Sequence, residues 1–368
     1  MIYLDNGATT LRKPPCVARA MTQALERCAN PGRGGYPQAA EAARVVGLCR
    51  ERAGALFDCL PEQVVFTANC THGLNIAIRT LVKPGDRVIL SGFEHNAVLR
   101  PLVALGAKLR IVGRELFAPQ KLLVEFEEAL SQGAEAAVFT HVSNVFGYVL
   151  PVAEMAQLCH RYRVPFVLDA AQSAGSLPVS LKGLGAAFIA MPGHKGLLGP
   201  QGTGLLLCGQ LPEPLLYGGT GTLSKDPQMP DFLPERAEAG TLNVPGIAGL
   251  SAALGFLQRT GIDAFAGKER EQVRRCAAGL RSLGLEVFSG EAQSTALSFL
   301  PKEDCEVFAQ RLGERGICVR AGLHCAPLAH ESAGTLDTGT VRISYGMDAS
   351  AQQTDKLLNT VDFLTGRM

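Results

Sequence analysis

Between about residues 60 and 210 the chain alternates short apolar runs with amphipathic stretches, and no other feature restricts its fold so strongly. The runs VVFT (64–67), RVIL (87–90), KLRIV (108–112), AAVFT (136–140), PFVLD (165–169), AAFIA (186–190) and TGLLL (203–207) have the length and composition of strands. Segments such as THGLNIAIRTLV, LVEFEEAL and VAEMAQLCHRY between them carry apolar residues at helical spacing. Strands that are apolar on both faces need cover on both faces, so the pattern predicts an α/β fold with a mostly parallel sheet between layers of helices. Ligands of such sheets collect at the carboxyl ends of the strands.

Residues 211–245 are rich in Gly and Pro and lack a period, which suits a functional segment or a subunit contact leading into a helix at 247–259. Beyond it, a long helix at 264–283, the runs TALSFL, ICVRAG and TVRISYG, and helices at 305–315 and from Ala351 predict a second, smaller α+β domain. A length of 368 residues agrees with two domains. Lys+Arg total 35 against 34 Asp+Glu, so no strong field gathers nucleic acid or anionic lipid. No apolar run approaches the roughly 18 residues of a membrane span, and MIYLDNGATT does not read as a secretory signal. The 11 cysteines are odd in number and form no C-x-x-C, which points to a reducing, cytoplasmic setting rather than a disulfide framework. Most, such as Cys49, Cys159, Cys208 and Cys276, read as small core residues.

Chemistry concentrates at a few strand ends. In GHKGLLGPQGTG, Lys195 follows an apolar strand among glycines, a setting for close approach of a ligand, although a glycine-rich solvent loop would read the same way. Asp169 ends the preceding strand, either as a helix cap or as a carboxylate facing the same ligand. Together, a lysine amine for an imine and a carboxylate for a pyridine nitrogen are what pyridoxal phosphate (PLP) chemistry needs. In VFTANCTHGLNIAI a strand, Thr71, Gly73 and a helix start offer a phosphate site of low specificity. His95, in SGFEHNAVLRP, suits stacking on a planar ring or an ordinary loop role. In ICVRAGLHCAPLAH, Cys325 follows Gly322 and His324 with Arg320 nearby, and basic neighbours favour a thiolate. A zinc site from Cys325, His324 and His330 is the alternative, but no further ligand cluster accompanies it, so no metal is expected.

The segments YLDNGATT, EHN, HVSN, LDAAQS, GHK, EAGT, RAGLHCAPL and VRIS occur in this order over nearly the whole chain. In them the chain resembles the class V aminotransferase-like PLP enzymes of fold type I. Within that class it is similar to group II cysteine desulfurases and selenocysteine lyases. The resemblance implies a large domain with a seven-stranded sheet over 13–250 and a small domain from 1–12 and 251–368. It implies that Lys195 forms the Schiff base, Asp169 pairs with the pyridine nitrogen, Gln172 bonds the ring hydroxyl and His95 stacks on the ring. Asn144 would contact cofactor or substrate, and Arg342 would clamp the substrate carboxylate. Phosphate would be held by Thr71, the His72 backbone and His194, with Thr241 from the other subunit of a homodimer. Cys70 occupies a cofactor-binding position where Thr is common. Pro192 stands where the family has Ser in S-G-H-K, removing one phosphate hydrogen bond, and GGYPQAA replaces a His-containing loop.

The activity so implied is desulfuration of cysteine to alanine, with Lys195 moving the α-proton and Cys325 taking the sulfur as a persulfide for an acceptor protein. A selenocysteine lyase, or a class V aminotransferase that does not use Cys325, are the alternatives.

Overall fold

The computed structural model describes residues 1–32 and 34–366. All seven expected strands form. They join in one sheet in the order Val64–Thr67, Gly204–Cys208, Phe188–Pro192, Phe166–Asp169, Ala136–Thr140, Arg87–Ser91, Lys108–Val112. Only Gly204–Cys208 runs antiparallel to its neighbours. The AAFIA run enters the sheet two residues late, at Phe188. The short helix Leu181–Leu184 ends on left-handed Gly185 (φ 56°), and pairing starts only after that turn.

Both faces of the sheet are covered, as the apolar strands require. In the strand Ala136–Thr140, Ala137 and Phe139 enter one core with helices Pro37–Phe57, Pro119–Ser131, Val152–Tyr162 and Val244–Thr260. Ala136 and Val138 enter another with helices Cys70–Leu81 and Asn96–Ala104. The period of two in the strand thus feeds two layers at once.

The C-terminal part forms a four-stranded antiparallel sheet in the order Arg320–Gly322, Thr340–Ser344, Ala296–Leu300, Glu286–Phe288. Helices Asp263–Ser282, Cys305–Glu314 and Ala351–Leu364 supply its core, which also takes Leu4. The N-terminal strand Ile2–Tyr3 pairs in parallel with Ile317–Cys318, so residues from both chain ends meet here. Helix Val244–Thr260 crosses the expected boundary at residue 250, and its Ala253, Leu254 and Leu257 still belong to the larger core. We propose that the smaller unit begins after this helix.

Cysteines behave largely as core residues. Cys49, Cys159 and Cys276 are buried, and burial pushes each thiol up to about 12. Cys325 is exposed.

Candidate active site

The carboxyl ends of the strands Val64–Thr67, Ala136–Thr140, Phe166–Asp169 and Phe188–Pro192, with the turn after Arg87–Ser91, surround a recess of about 510 Å3. It is lined by Cys70, Thr71, His95, Asn144, Asp169, Gln172, His194 and Lys195, among others. Eight side chains singled out in the sequence therefore converge from distant positions.

Lys195 is carried into the recess by a backbone that admits little side-chain bulk. A Cβ on Gly193 would lie 2.1 Å from the Thr203 hydroxyl, and one on Gly196 would lie 2.4 Å from the Ala174 carbonyl. The N-terminal segment clamps the same turn, with Thr10 donating to the His194 carbonyl from its N–H (3.1 Å) and its hydroxyl (3.0 Å). The Lys195 amine has no hydrogen bond to any described residue. Burial lowers its basicity, against an opposing pull from Asp169.

Asp169 is 2% exposed. Its Oδ1 accepts the Ala171 N–H (2.8 Å) and the Cys70 thiol (3.4 Å), while Oδ2 has no donor among the described residues. Burial, strengthened by this carboxylate, holds the Cys70 thiol protonated by raising it well above its ordinary range. His95 caps the helix Asn96–Ala104 by accepting the Ala97 N–H on Nδ1 (3.0 Å), so the neutral ring carries its proton on Nε2. Burial lowers its basicity and favours that neutral form. Gln172 donates to the Gly7 carbonyl (2.9 Å). Asn144 donates to the His324 carbonyl (2.8 Å), and its Oδ1 is buried with no partner.

At the expected phosphate site one contact differs. The His72 N–H is not free, because Asn69 caps the helix Cys70–Leu81 and accepts it (2.9 Å). The N–H groups of Cys70 and Thr71 remain open, as the first turn of a helix leaves them. His194 reaches the Thr9 hydroxyl through Nδ1 (3.1 Å), and burial lowers its imidazole to about 4. His72 also lines a neighbouring recess together with Thr241, the residue expected to serve the phosphate site of the other subunit.

Arg342 is buried beside the recess rather than lining it. Its guanidinium donates to Asp5 (2.7 Å) and to the Asn144 carbonyl (2.9 Å), leaving Nε without a partner. Arg320 also turns to Asp5 (2.7 Å), and its charge is still felt by Cys325. Asp5 is thus an organising carboxylate that spacing could not reveal, since its partners lie over 300 positions away.

Cys325 does not line the recess. Its carbonyl accepts the Asn96 N–H (2.7 Å), and the preceding carbonyl accepts Asn144, so the loop is pinned to the segments that carry His95 and Asn144. His324 and Cys325 are both left-handed (φ 51° and 56°), a conformation non-glycine residues hold only when the surroundings impose it. His330 is fully buried, with Nδ1 on the Thr335 hydroxyl (2.8 Å), and no group of three metal-ligating side chains occurs among the described residues.

Glu94 was not singled out in the sequence. It is fully buried, and Oε1 accepts the Ser91 hydroxyl (2.5 Å) and the Thr140 N–H (3.1 Å), tying two strand ends together. Burial raises it to about 8, more than its hydrogen bonds lower it. A raised carboxyl contributes stability that is complete below its unfolded value and is lost as pH rises through the folded one. Glu94→Gln is therefore expected to match the wild type in thermal stability at pH 5 and exceed it at pH 9. Parallel curves in a pH series of melting temperatures would contradict this.

The recess offers a buried amine for a carbonyl, a carboxylate for a protonated ring nitrogen, an imidazole, an orphaned amide oxygen and open helix-terminal N–H groups. These suit a phosphorylated pyridine aldehyde. The family model for class-V aminotransferases matches residues 2–357. A relative from Methanothermobacter thermautotrophicus named probable cysteine desulfurase is 34% identical, over 99% of this chain and 95% of its own. Another so named, from Pyrococcus abyssi, is 31% identical over 99% of this chain and 94% of its own. The apo structure of a cysteine desulfurase from Thermococcus onnurineus NA1 superposes with a TM-score of 0.92 at 30% identity, covering 100% of this chain and 95% of that one.

Proposed function

The chain belongs to the class-V aminotransferase family, and within it we infer that it is a PLP-dependent cysteine desulfurase that converts cysteine to alanine. The observation that carries this reading is the buried, unpartnered Lys195 amine facing Asp169 in a recess whose rim is pinned to the Cys325 loop. When bound, PLP withdraws electrons from the substrate α-carbon, so that its proton becomes removable.

The chain's own residues then divide the work. Asp169, fixed by Ala171 and Cys70, would hold the ring nitrogen through its free oxygen. Neutral His95 would cover the ring face, and the open N–H groups of Cys70 and Thr71 would meet phosphate with the Thr71 hydroxyl. Lys195, less basic than an exposed lysine, would accept the α-proton and return a proton to carbon. Arg342 would present its remaining N–H donors to the substrate carboxylate. Cys325 attacks the substrate sulfur, forming an S–S bond as the C–S bond breaks. The β-carbon freed from sulfur gains a proton, the α-carbon regains one, and the persulfide stays on the enzyme. Because Cys325 is exposed, that sulfur is open to an acceptor protein.

A homodimer fits the same reading. Thr241 is exposed and lies outside its own chain's Lys195 recess, and the irregular segment before it exposes Leu216, Tyr217 and Phe232. No helix among the described residues is long and apolar enough to cross a membrane.

The test is alanine formation from cysteine by purified, PLP-loaded protein, with sulfide released by a thiol reductant. Production of pyruvate, or amino transfer to an oxo acid without sulfur release, would replace the reading with a β-lyase or an aminotransferase.

Pro192 lines the recess with no hydroxyl to offer. A hydrogen bond to a charged group is worth roughly 1.5–3 kcal/mol, so Pro192→Ser is expected to tighten PLP binding by about tenfold or more. Equilibrium titration of the apo protein checks it, and unchanged affinity would show that other donors already saturate the phosphate.

A further inference from the structure

A second cavity shares lining residues with the first. Its lining includes Gln172, Ser176, Lys195, Glu269, Thr295 and Tyr345, and it leaves room for water. Lys195 and Gln172 line both cavities, so the lysine stands in the wall between them. Leu198, Leu257, Phe265 and Met347 share the lining with polar groups from Asn6, Thr10, Gln172, Ser176, Thr295 and Glu269, enough partners to hold water between Glu269 and Lys195.

Glu269 is the carboxyl of this cavity. It belongs to the helix Asp263–Ser282 of the smaller unit, is 9% exposed, and forms no hydrogen bond or ion pair with any described residue. A buried carboxyl without a partner is costly, and such groups are retained where they serve chemistry. The ionisable groups around it are few. Arg270 follows it on its own helix, Asp348 comes from the loop before the last helix and is itself paired with Arg12 (3.3 Å), and Lys195 and Tyr345 share the cavity. Burial raises Glu269 to about 7, with Asp348 adding to the rise and Arg270 opposing it. It can therefore both take and give a proton near neutrality.

We propose that Glu269 exchanges protons with Lys195 through water in this cavity, linking the lysine to solvent. The inference rests on the reading of Lys195 as the group that moves the substrate's α-proton. In that step the C–H electron pair stays on carbon and the proton passes to the lysine nitrogen. Exchange then replaces it with a solvent proton before one is delivered to the product carbon. Glu269 touches neither substrate nor cofactor and acts only through Lys195.

Two measurements test it, on wild type, Glu269→Gln and Glu269→Asp. With cysteine deuterated at the α-carbon, in ordinary water, Glu269→Gln is expected to deliver alanine with about twofold or more deuterium in its methyl group than wild type, because the lysine keeps the label longer. Glu269→Asp, which retains a carboxyl, should return toward the wild-type value. In the cofactor-free protein, a raised carboxyl costs stability progressively as pH climbs from its unfolded value through about 7. Glu269→Gln should therefore melt with the wild type at pH 5 and above it at pH 8. Equal deuterium in all three proteins overturns the proposal, as does a melting difference that is the same at both pH values. If the wild type makes no alanine from cysteine, the functional reading fails instead, and the apo-protein melting curves still decide whether Glu269 is an unpaired, titrating carboxyl.

Discussion

Lys195→Ala is expected to remove turnover of cysteine by at least about 10²-fold to 10⁴-fold, the range for loss of a positioned proton-transfer group, and to remove covalent attachment of PLP. No other amine can substitute. The nearest candidate, Lys13, is also depressed by burial, to about 8, but its amine is held by the Thr10 carbonyl (3.1 Å), the Thr10 hydroxyl (2.9 Å) and the His194 carbonyl (3.4 Å). It lies outside the recess lining. The variant should still fold, since removing a buried, unpartnered amine relieves a desolvation cost. Borohydride treatment followed by peptide mapping should find cofactor mass on the Lys195 peptide of the wild type and none in the variant. Retained turnover with cofactor fixed at Lys13 would move the active amine there.

The sheet was legible in the sequence because its strands are apolar on both faces and separated by helices of clear period. Their ends were slightly less so, as at Ala186, where a left-handed glycine delays pairing. The strand-end position of Asp169 and the glycines beside Lys195 could be read locally, because a short stretch of chain determines each. Features built from distant partners could not. Asp5 gathers Arg342 and Arg320 from the far end of the chain, Glu94 joins two strand ends across 46 residues, and Glu269, from the other unit, lines a cavity together with Lys195. Arg320 shows both sides of reading neighbours along the sequence: it interacts electrostatically with Cys325, as its spacing suggests, but its hydrogen bonds go to Asp5, which spacing could not show. Likewise the resemblance implied that the His72 N–H meets phosphate, whereas here the Asn69 cap accepts it.

Cys325→Ala is expected to keep its cofactor and fold while losing alanine formation from cysteine by about 10²-fold or more. Cysteine's C–S bond needs a nucleophile to draw the sulfur away, whereas the weaker C–Se bond of selenocysteine can break without one, so much of any selenocysteine activity should remain. Folding should survive because the loop is held by the carbonyls of His324 and Cys325, which the substitution leaves in place, and not by the exposed thiol. Cys318, half-buried at the end of the short strand Ile317–Cys318, is the nearest other cysteine in sequence and, unlike Cys305, is not buried, so it serves as the internal comparison. The most direct measurement is a mass map of the PLP-loaded wild type after brief exposure to cysteine, without reductant. An added sulfur atom on the Cys325 peptide, absent from Cys325→Ala and released by a thiol, is the predicted result. Wild-type alanine production in the variant, or the added sulfur on Cys318, would contradict the account.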